Sequence, residues 1–273
     1  MWDWLGLPEQ ASAHAARMDQ FIGLVHVIII SGFMFWFTWF LIALAKHRKV
    51  KNPEADYTGI KGKWPYLPVC VMVFFDFALL FGLSIPFWHD EINAVPLDDA
   101  NVVDVRVVGK RFDWMVHYPG PDGVYGRTDI SFINSAMDRH VGLDPDDPAG
   151  KDDIETLGVL YLPVNRQALV RLGTQDVIHS MNLPEFRVKH DAIPGMRIPV
   201  YFTPTVTTEE FKIRMGDEER DFEIACAQLC GNSHYGMRGR IIILSDEEFQ
   251  AWIAAEVEKK ASYDEEDDWL FDD

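Results

Sequence analysis

Four side chains that favour soft metals fall within twelve residues near the carboxyl end: Cys226-Ala-Gln-Leu-Cys230-Gly-Asn-Ser-His234-Tyr-Gly-Met237. The spacing is C-x3-C-x3-H-x2-M. Thiolate, thioether and imidazole donors select copper over hard cations. One Cys with His and Met would suit a mononuclear blue-copper site. Two Cys point instead to two thiolates bridging two coppers. A C-x3-C pair alone reads equally well as a disulfide in an oxidising compartment; the His and Met that follow favour a metal.

Two coppers sharing two thiolates need further ligands. His234 and Met237 are local, and a second imidazole must come from elsewhere. The best candidate is His179, in Asp176-Val-Ile-His179-Ser-Met, 47 residues before Cys226. A ligand from a distant strand holds the site in a rigid frame, which suits electron transfer better than chemistry on a substrate. A backbone carbonyl could complete the set, and Gln228 is placed to offer one. His14, His26, His89, His117, His140 and His190 have no comparable partners and are read as structural or solvated.

The elements that must position this loop differ sharply along the chain. Residues 21–45 carry no charged side chain. At about 1.5 Å per residue they would extend roughly 37 Å, enough to cross a bilayer. Residues 65–88 form a second apolar run interrupted by Asp76. Neither run reads as a cleaved signal peptide. The connecting loop holds Lys46, Arg48, Lys49, Lys51, Lys61 and Lys63 against Glu54 and Asp56. The excess of positive charge places that loop in the cytoplasm, with both termini and the rest of the chain outside the cell membrane. Cys70, in the second span, is read as a small buried apolar residue.

Residues 89–273 hold 18 Lys and Arg against 37 Asp and Glu, so the formal charge of −18 on the whole chain lies in this part, residues 1–88 being close to neutral. Such a field repels nucleic acid and attracts basic partners. Short β-branched runs split by turn residues predict strands at 102–108, 161–163, 168–172, 176–179, 198–202, 210–215, 222–225 and 240–244, hence an all-β sandwich. Ser245 followed by three acids predicts a helix N-cap leading into 249–260. The expected organisation is a lead-in over 1–20, read as amphipathic, a transmembrane helical hairpin over 21–90, a copper-binding domain over 91–260 and a mobile acidic tail over 261–273. No internal repeat is present, and no Cys-x-x-Cys-His motif for attaching c-type haem.

The chain resembles subunit II of the haem-copper cytochrome c oxidases. The residues that carry the likeness are Asp176-Val-Ile-His179-Ser, Lys189-His-Asp191-Ala-Ile-Pro-Gly195 and the Cys226–Met237 loop. The resemblance spans the two apolar segments, the basic loop and the sandwich. It implies an extracytoplasmic cupredoxin-like β-sandwich carrying a binuclear copper A centre. By that likeness Cys226 and Cys230 bridge the coppers, His179 and His234 each bind one, and Met237 and the Gln228 carbonyl are weak ligands. It further implies electrons accepted from cytochrome c, or from a haem c domain of another complex. They pass to haem in subunit I, where oxygen is reduced and protons are pumped. Subunit I, other oxidase subunits and membrane lipid are the remaining partners.

Three departures from the family pattern stand out. Gln228 replaces a Glu that helps hold magnesium, and its neutral side chain is a poor ligand for a hard cation. The Gly-x-Gln-Trp-x-Trp motif reads Gly109-Lys-Arg-Phe112-Asp-Trp114, so Phe112 stands where electrons usually arrive and Trp114 is the second aromatic. Lys61 precedes Trp64 where many members carry a proton-uptake Glu. Acids expected to dock a basic donor are Asp113 and Asp176, with Asp144, Asp146, Asp147, Asp152 and Asp153 as a secondary set. Asp76 is an acid inside a span, and an intramembrane acid is by default a functional hypothesis; a hydrogen bond to a neighbouring subunit or a local partner are both open. A nitrous-oxide reductase, a copper carrier and a copper-free quinol oxidase subunit are rivals. The chain has too little length for the first, and more ligands than the other two require.

Overall fold

A computed structural model describes residues 3–50, 54, 57–59, 62–90, 102–134 and 140–270. The chain divides into two compact units, residues 1–7 with 17–94 and residues 8–16 with 95–273. Lys51, Lys61 and Asp56 of the basic loop, and Phe271 of the tail, lie outside the described residues.

The first unit is a helical pair. Helix α1 (Ala15–Lys46) contains the first apolar run. Helix α2 (Tyr66–Leu79) continues through a π-helical turn (Leu80–Ser84) into α3 (Ile85–Trp88). The wide turn has a local cause in Pro86. Proline offers no N–H and its ring crowds the carbonyl four residues back, here that of Gly82, so the spiral loosens. Phe21 near the start of α1 stacks on Phe87 near the end of α3 at 5.8 Å, and Arg17 reaches Asp90 at 3.7 Å. These contacts make the pair antiparallel, as the charge pattern requires. The apolar windows of both spans are unburied within the chain, as expected where lipid or another subunit is the solvent. Cys70 and Asp76 are exposed on α2, which corrects the expectation that Cys70 is covered within this chain.

The second unit is a two-layer sandwich. One sheet has the order β3-β2-β1-β5-β8 and the other β4-β10-β9-β6-β7. The strands are β1 (Val103–Lys110), β2 (Asp113–Tyr118), β3 (Ile154–Leu157), β4 (Val159–Pro163), β5 (Ala168–Thr174), β6 (His179–Leu183), β7 (Val188–Ala192), β8 (Ile198–Phe202), β9 (Phe222–Cys226) and β10 (Arg238–Leu244). β1 buries alternate residues, with Val103, Val105 and Val107 inward. This is the period-two pattern of a strand with one face on a core. Between the sheets lie Trp114, Tyr118, Phe186, Phe202, Phe222, Leu160, Leu172, Met181 and Ile224, all at or below 2 % exposure.

Three expectations are corrected. Residues 210–215 form a helix, α4 (Thr208–Met215), not a strand. Thr207 Oγ1 caps it by accepting the Glu210 N–H, acids occupy its first turn, Lys212 and Arg214 its last, and Gly216 ends it at φ 66. The lead-in is not a separate segment, because residues 8–16 fold with the sandwich. Ala11 donates to the Glu185 carbonyl and accepts from Thr205, and the Ser12 hydroxyl donates to the Phe186 carbonyl at 2.7 Å. Third, the acidic tail continues helix α5 (Asp246–Leu270) rather than leaving it at residue 260. The expected cap is present as a reciprocal box: Ser245 N–H donates to Glu248 Oε2, and Glu248 N–H donates to Ser245 Oγ. Trp252 fastens α5 to the sandwich by stacking on Tyr161 at 4.4 Å and meeting the Tyr118 ring edge-on at 5.1 Å.

Candidate metal centre

His179 and Cys226 are brought together by strand pairing. β6 begins at His179 and β9 ends at Cys226, and the two strands pair antiparallel with Met181 opposite Cys226. The Ala227 N–H donates to the Ser180 carbonyl at 2.9 Å, which carries the ladder one step past the strand end. The loop between β9 and β10 then closes on itself, because the Cys226 N–H donates to the Met237 carbonyl at 3.2 Å. A short 3-10 turn (His234–Gly236) swings His234 back towards the cysteines.

The donor atoms form a chain. His179 Nδ1 is 3.8 Å from Cys226 Sγ, the two Sγ atoms are 4.0 Å apart, and Cys230 Sγ is 3.6 Å from His234 Nδ1. Met237 Sδ lies 3.7 Å from Cys230 Sγ, and the Gln228 carbonyl oxygen 3.3 Å from Cys226 Sγ. Both cysteines are free thiols. Ligand bonds of about 2.0–2.3 Å at near-tetrahedral angles separate neighbouring donors by about 3.3–3.8 Å. Four of the five spacings fall within that range and the sulfur–sulfur spacing of 4.0 Å just above it, so these residues could hold a metal, and the soft donor set fits copper. His179, Cys226 and Cys230 offer ligand atoms all within 4.8 Å of one another.

Asp176 supports the first imidazole. Its Oδ1 accepts from His179 Nε2 at 2.8 Å and from the Val177 N–H at 2.7 Å; its Oδ2 accepts from the backbone N–H and Nε of Arg111, each at 3.0 Å. Partial burial pushes this carboxyl up, but those hydrogen bonds outweigh it and hold Asp176 well below the usual carboxylate range. The Cys230 thiol moves the other way. Burial first, then the neighbouring Cys226 sulfur, pushes it up to about 11.

Aromatic groups flank the site. Trp114 is fully buried and meets the His179 ring edge-on at 6.0 Å. Phe112 is half-buried, and its ring stands 3.1 Å from where a Cβ on Gly231 would lie. Phe112 thus rests on the metal loop at the surface, whereas Trp114 has no exposed face with which to meet a docked protein.

The docking acids divide as well. Asp113 is half-buried and accepts the Trp114 N–H at 2.8 Å. Asp176 is committed to internal partners and is not a surface charge. Asp153 is fully buried against His117, with Nε2 to Oδ2 at 2.6 Å, and Asp144 is nearly buried and paired with Arg127. Both leave the secondary docking set for the same reason. Sequence reasoning missed Arg111 and Gly109. A Cβ on Gly109 would stand 2.9 Å from the His179 ring, and the signal was a glycine inside a strand, which often marks close approach.

The fold and site together define a membrane-anchored cupredoxin-like protein with a sulfur–imidazole loop that could hold a metal. The family described as cytochrome c oxidase subunit II, periplasmic domain, matches residues 103–245. The alternative cytochrome c oxidase subunit 2 of Bradyrhizobium diazoefficiens is 31% identical over 82% of this chain and 75% of its own length. The cytochrome c oxidase subunit 2 of Cereibacter sphaeroides is 27% identical over 91% of this chain and 78% of its own. Among solved structures, the periplasmic domain of cytochrome oxidase subunit II from Bradyrhizobium japonicum is 26% identical, covering 57% of this chain and 94% of that one, with a TM-score of 0.39. The chain belongs to the cytochrome c oxidase subunit II family. It is accordingly a membrane protein with an extracytoplasmic domain, and a subunit of an oxidoreductase complex.

Proposed function

We propose that this chain holds two copper ions at Cys226, Cys230, His179, His234, Met237 and the Gln228 carbonyl, and serves as the electron-accepting subunit of its oxidase. Electrons arrive from cytochrome c or a haem c domain and leave for the haem of subunit I, where oxygen is reduced to water with proton pumping. The copper domain and both termini lie outside the cell membrane, and the basic loop between the spans lies in the cytoplasm. No magnesium contact is assigned to the Gln228 side chain.

The observation that carries this reading is the order of the donors. Two sulfurs occupy the middle and one imidazole nitrogen stands at each end, with consecutive spacings of 3.8, 4.0 and 3.6 Å. A mononuclear Cys2His2 site gathers all four donors around one point; here His234 falls outside the group of His179, Cys226 and Cys230, whose ligand atoms lie within 4.8 Å of one another. Copper bound there would supply a one-electron couple. The protein holds the ligands on strand ends and a closed loop, so little moves when charge arrives. Asp176 fixes the His179 tautomer, and Trp114 and Met237, at 1 % exposure or less, keep water from the buried side.

Metal analysis and electron spin resonance of the purified full-length chain test the proposal. Two coppers per chain, with an unpaired electron split by both nuclei, are expected. One copper with a four-line pattern, or a metal-free Cys226–Cys230 disulfide, overturns it.

A further inference from the structure

We propose that Arg111 is a positioning residue for the copper ligand His179, acting through Asp176 to fix the imidazole and to balance the carboxylate's charge. This rests on the copper reading above.

The carboxylate is divided between two tasks. One oxygen, Oδ2, receives both the backbone N–H and Nε of Arg111; the other, Oδ1, receives His179 Nε2. With Nε2 engaged, Nδ1 is the ring nitrogen left to face the sulfurs, where it lies 3.8 Å from Cys226 Sγ. A partner on the far nitrogen sets both the orientation and the donor strength of an imidazole ligand. Arg111 is the only Lys or Arg among the described residues in hydrogen bond to that carboxylate. It stands in the turn between β1 and β2, whereas Asp176 lies between β5 and β6. The same turn rests on the metal loop: the Arg111 Cδ and the Phe112 ring stand 3.5 and 3.1 Å from the Cβ position of Gly231. One short turn therefore clasps the His179 side of the donor set while covering the Cys230–His234 side.

The electrostatic consequence has a sign. An unbalanced carboxylate behind His179 stabilises the more positive, oxidised centre, and the Arg111 guanidinium offsets it. Removing the cation should lower the reduction potential, and removing the carboxylate should raise it. A unit charge at this range, partly screened by water, is worth about a tenfold change in the oxidised-to-reduced ratio, or about 59 mV for a one-electron couple.

The test compares Arg111→Gln, Arg111→Lys and Asp176→Asn in the full-length, copper-loaded chain, read by potentiometric titration and spin resonance. Arg111→Gln should favour the oxidised form about tenfold, Asp176→Asn the reduced form by a similar factor, and Arg111→Lys should stay within about threefold of the parent. In the double variant the two opposite potential shifts should largely cancel, while Arg111→Gln should add no further change to the spin-resonance spectrum of Asp176→Asn, because the carboxylate it positions is gone. If Arg111→Gln fails to hold copper, Arg111→Lys carries the test: it keeps the charge but loses the Nε contact to Asp176, so its potential should stay within about threefold of the parent while its spin-resonance spectrum changes, and a spectrum identical to the parent's overturns the positioning role. Unchanged potentials, or shifts of one sign in both Gln and Asn variants, overturn the role of Arg111 while leaving the copper reading intact. A parent chain without a two-copper spectrum overturns the copper reading itself.

Discussion

Gly109 and His179 touch across the sandwich: a Cβ added to Gly109 would stand 2.9 Å from the imidazole Cδ2 and 3.3 Å from the Trp114 ring. Neither neighbour can retreat, because His179 and Trp114 are both fully buried. Gly109→Ala is therefore expected to cost about 1–3 kcal/mol of stability through overpacking. It should also disturb the spin-resonance spectrum of the copper-loaded chain, since the ligand ring is what must move. Chemical denaturation read beside the spectrum checks both. A stable variant with the parent spectrum would show that the ring tolerates the methyl group.

The His117–Asp153 pair lies away from the metal loop and holds the long connection between β2 and β3. Its Nε2 and Oδ2 are 2.6 Å apart with both side chains at 1 % exposure or less. Asp153 Oδ2 also accepts the Gly126 N–H, and Lys260 of α5 donates to the Asp153 and Gly150 carbonyls. Removing one member of a buried pair leaves the other without a partner at a cost of about 3–5 kcal/mol. Asp153→Ala should lower the unfolding free energy measured by denaturant titration by that amount while leaving copper content unchanged.

What the sequence disclosed and what it hid follow from one distinction. Residue type and spacing expose donor atoms, so the convergence of Cys226, Cys230 and His234 with the distant His179 is legible in the sequence, and the structure brings these side chains together. Direction is not encoded that simply. Asp176 and Asp153 read as surface acids because most carboxylates are; the partners that turn them inward, Arg111 in the β1–β2 turn and His117 on β2, are distant in sequence. Residues 210–215 alternate polar and apolar like a strand, yet Thr207 and Gly216 cap them as a helix. β2 was missed for the opposite reason: five of its six residues are buried, so it shows no alternation. The β-branched and aromatic run of β8 predicts a strand over 198–202, the span observed.

Copper loading should depend steeply on pH. The Cys230 thiol is held up at about 11 in the metal-free chain, by burial and by the sulfur beside it. It is therefore protonated at neutral pH, and a metal must displace that proton. Below pH 11 the apparent affinity of Cys230 for copper should rise about tenfold per pH unit for each proton released. Competition against a chelator of known affinity, at several pH values between neutral and mildly alkaline, measures the slope. An affinity flat with pH would show that the thiol ionises before the metal arrives.

Electron donors should be recruited by charge. Residues 89–273 carry 37 acids against 18 bases, and a field of that sign accelerates encounter with a basic protein. Screening shortens its reach from about 30 Å at 0.01 M salt to about 3 Å at 1 M. The rate at which a basic haem c protein reduces the oxidase should therefore fall steeply over that range. Asp113 is the test position, because it adjoins Phe112 and Trp114, and its Oδ2 has no hydrogen-bond partner among the described residues. Asp113→Asn should slow reduction about threefold at low salt and leave it unchanged at high salt. Asp153 provides the contrast, being equally acidic in sequence but fully buried. Asp153→Asn, measured well below its unfolding midpoint, should leave the salt dependence untouched. Stopped-flow reduction at matched ionic strengths separates the two, and a loss of rate shared by both variants would place the docking surface elsewhere on the domain.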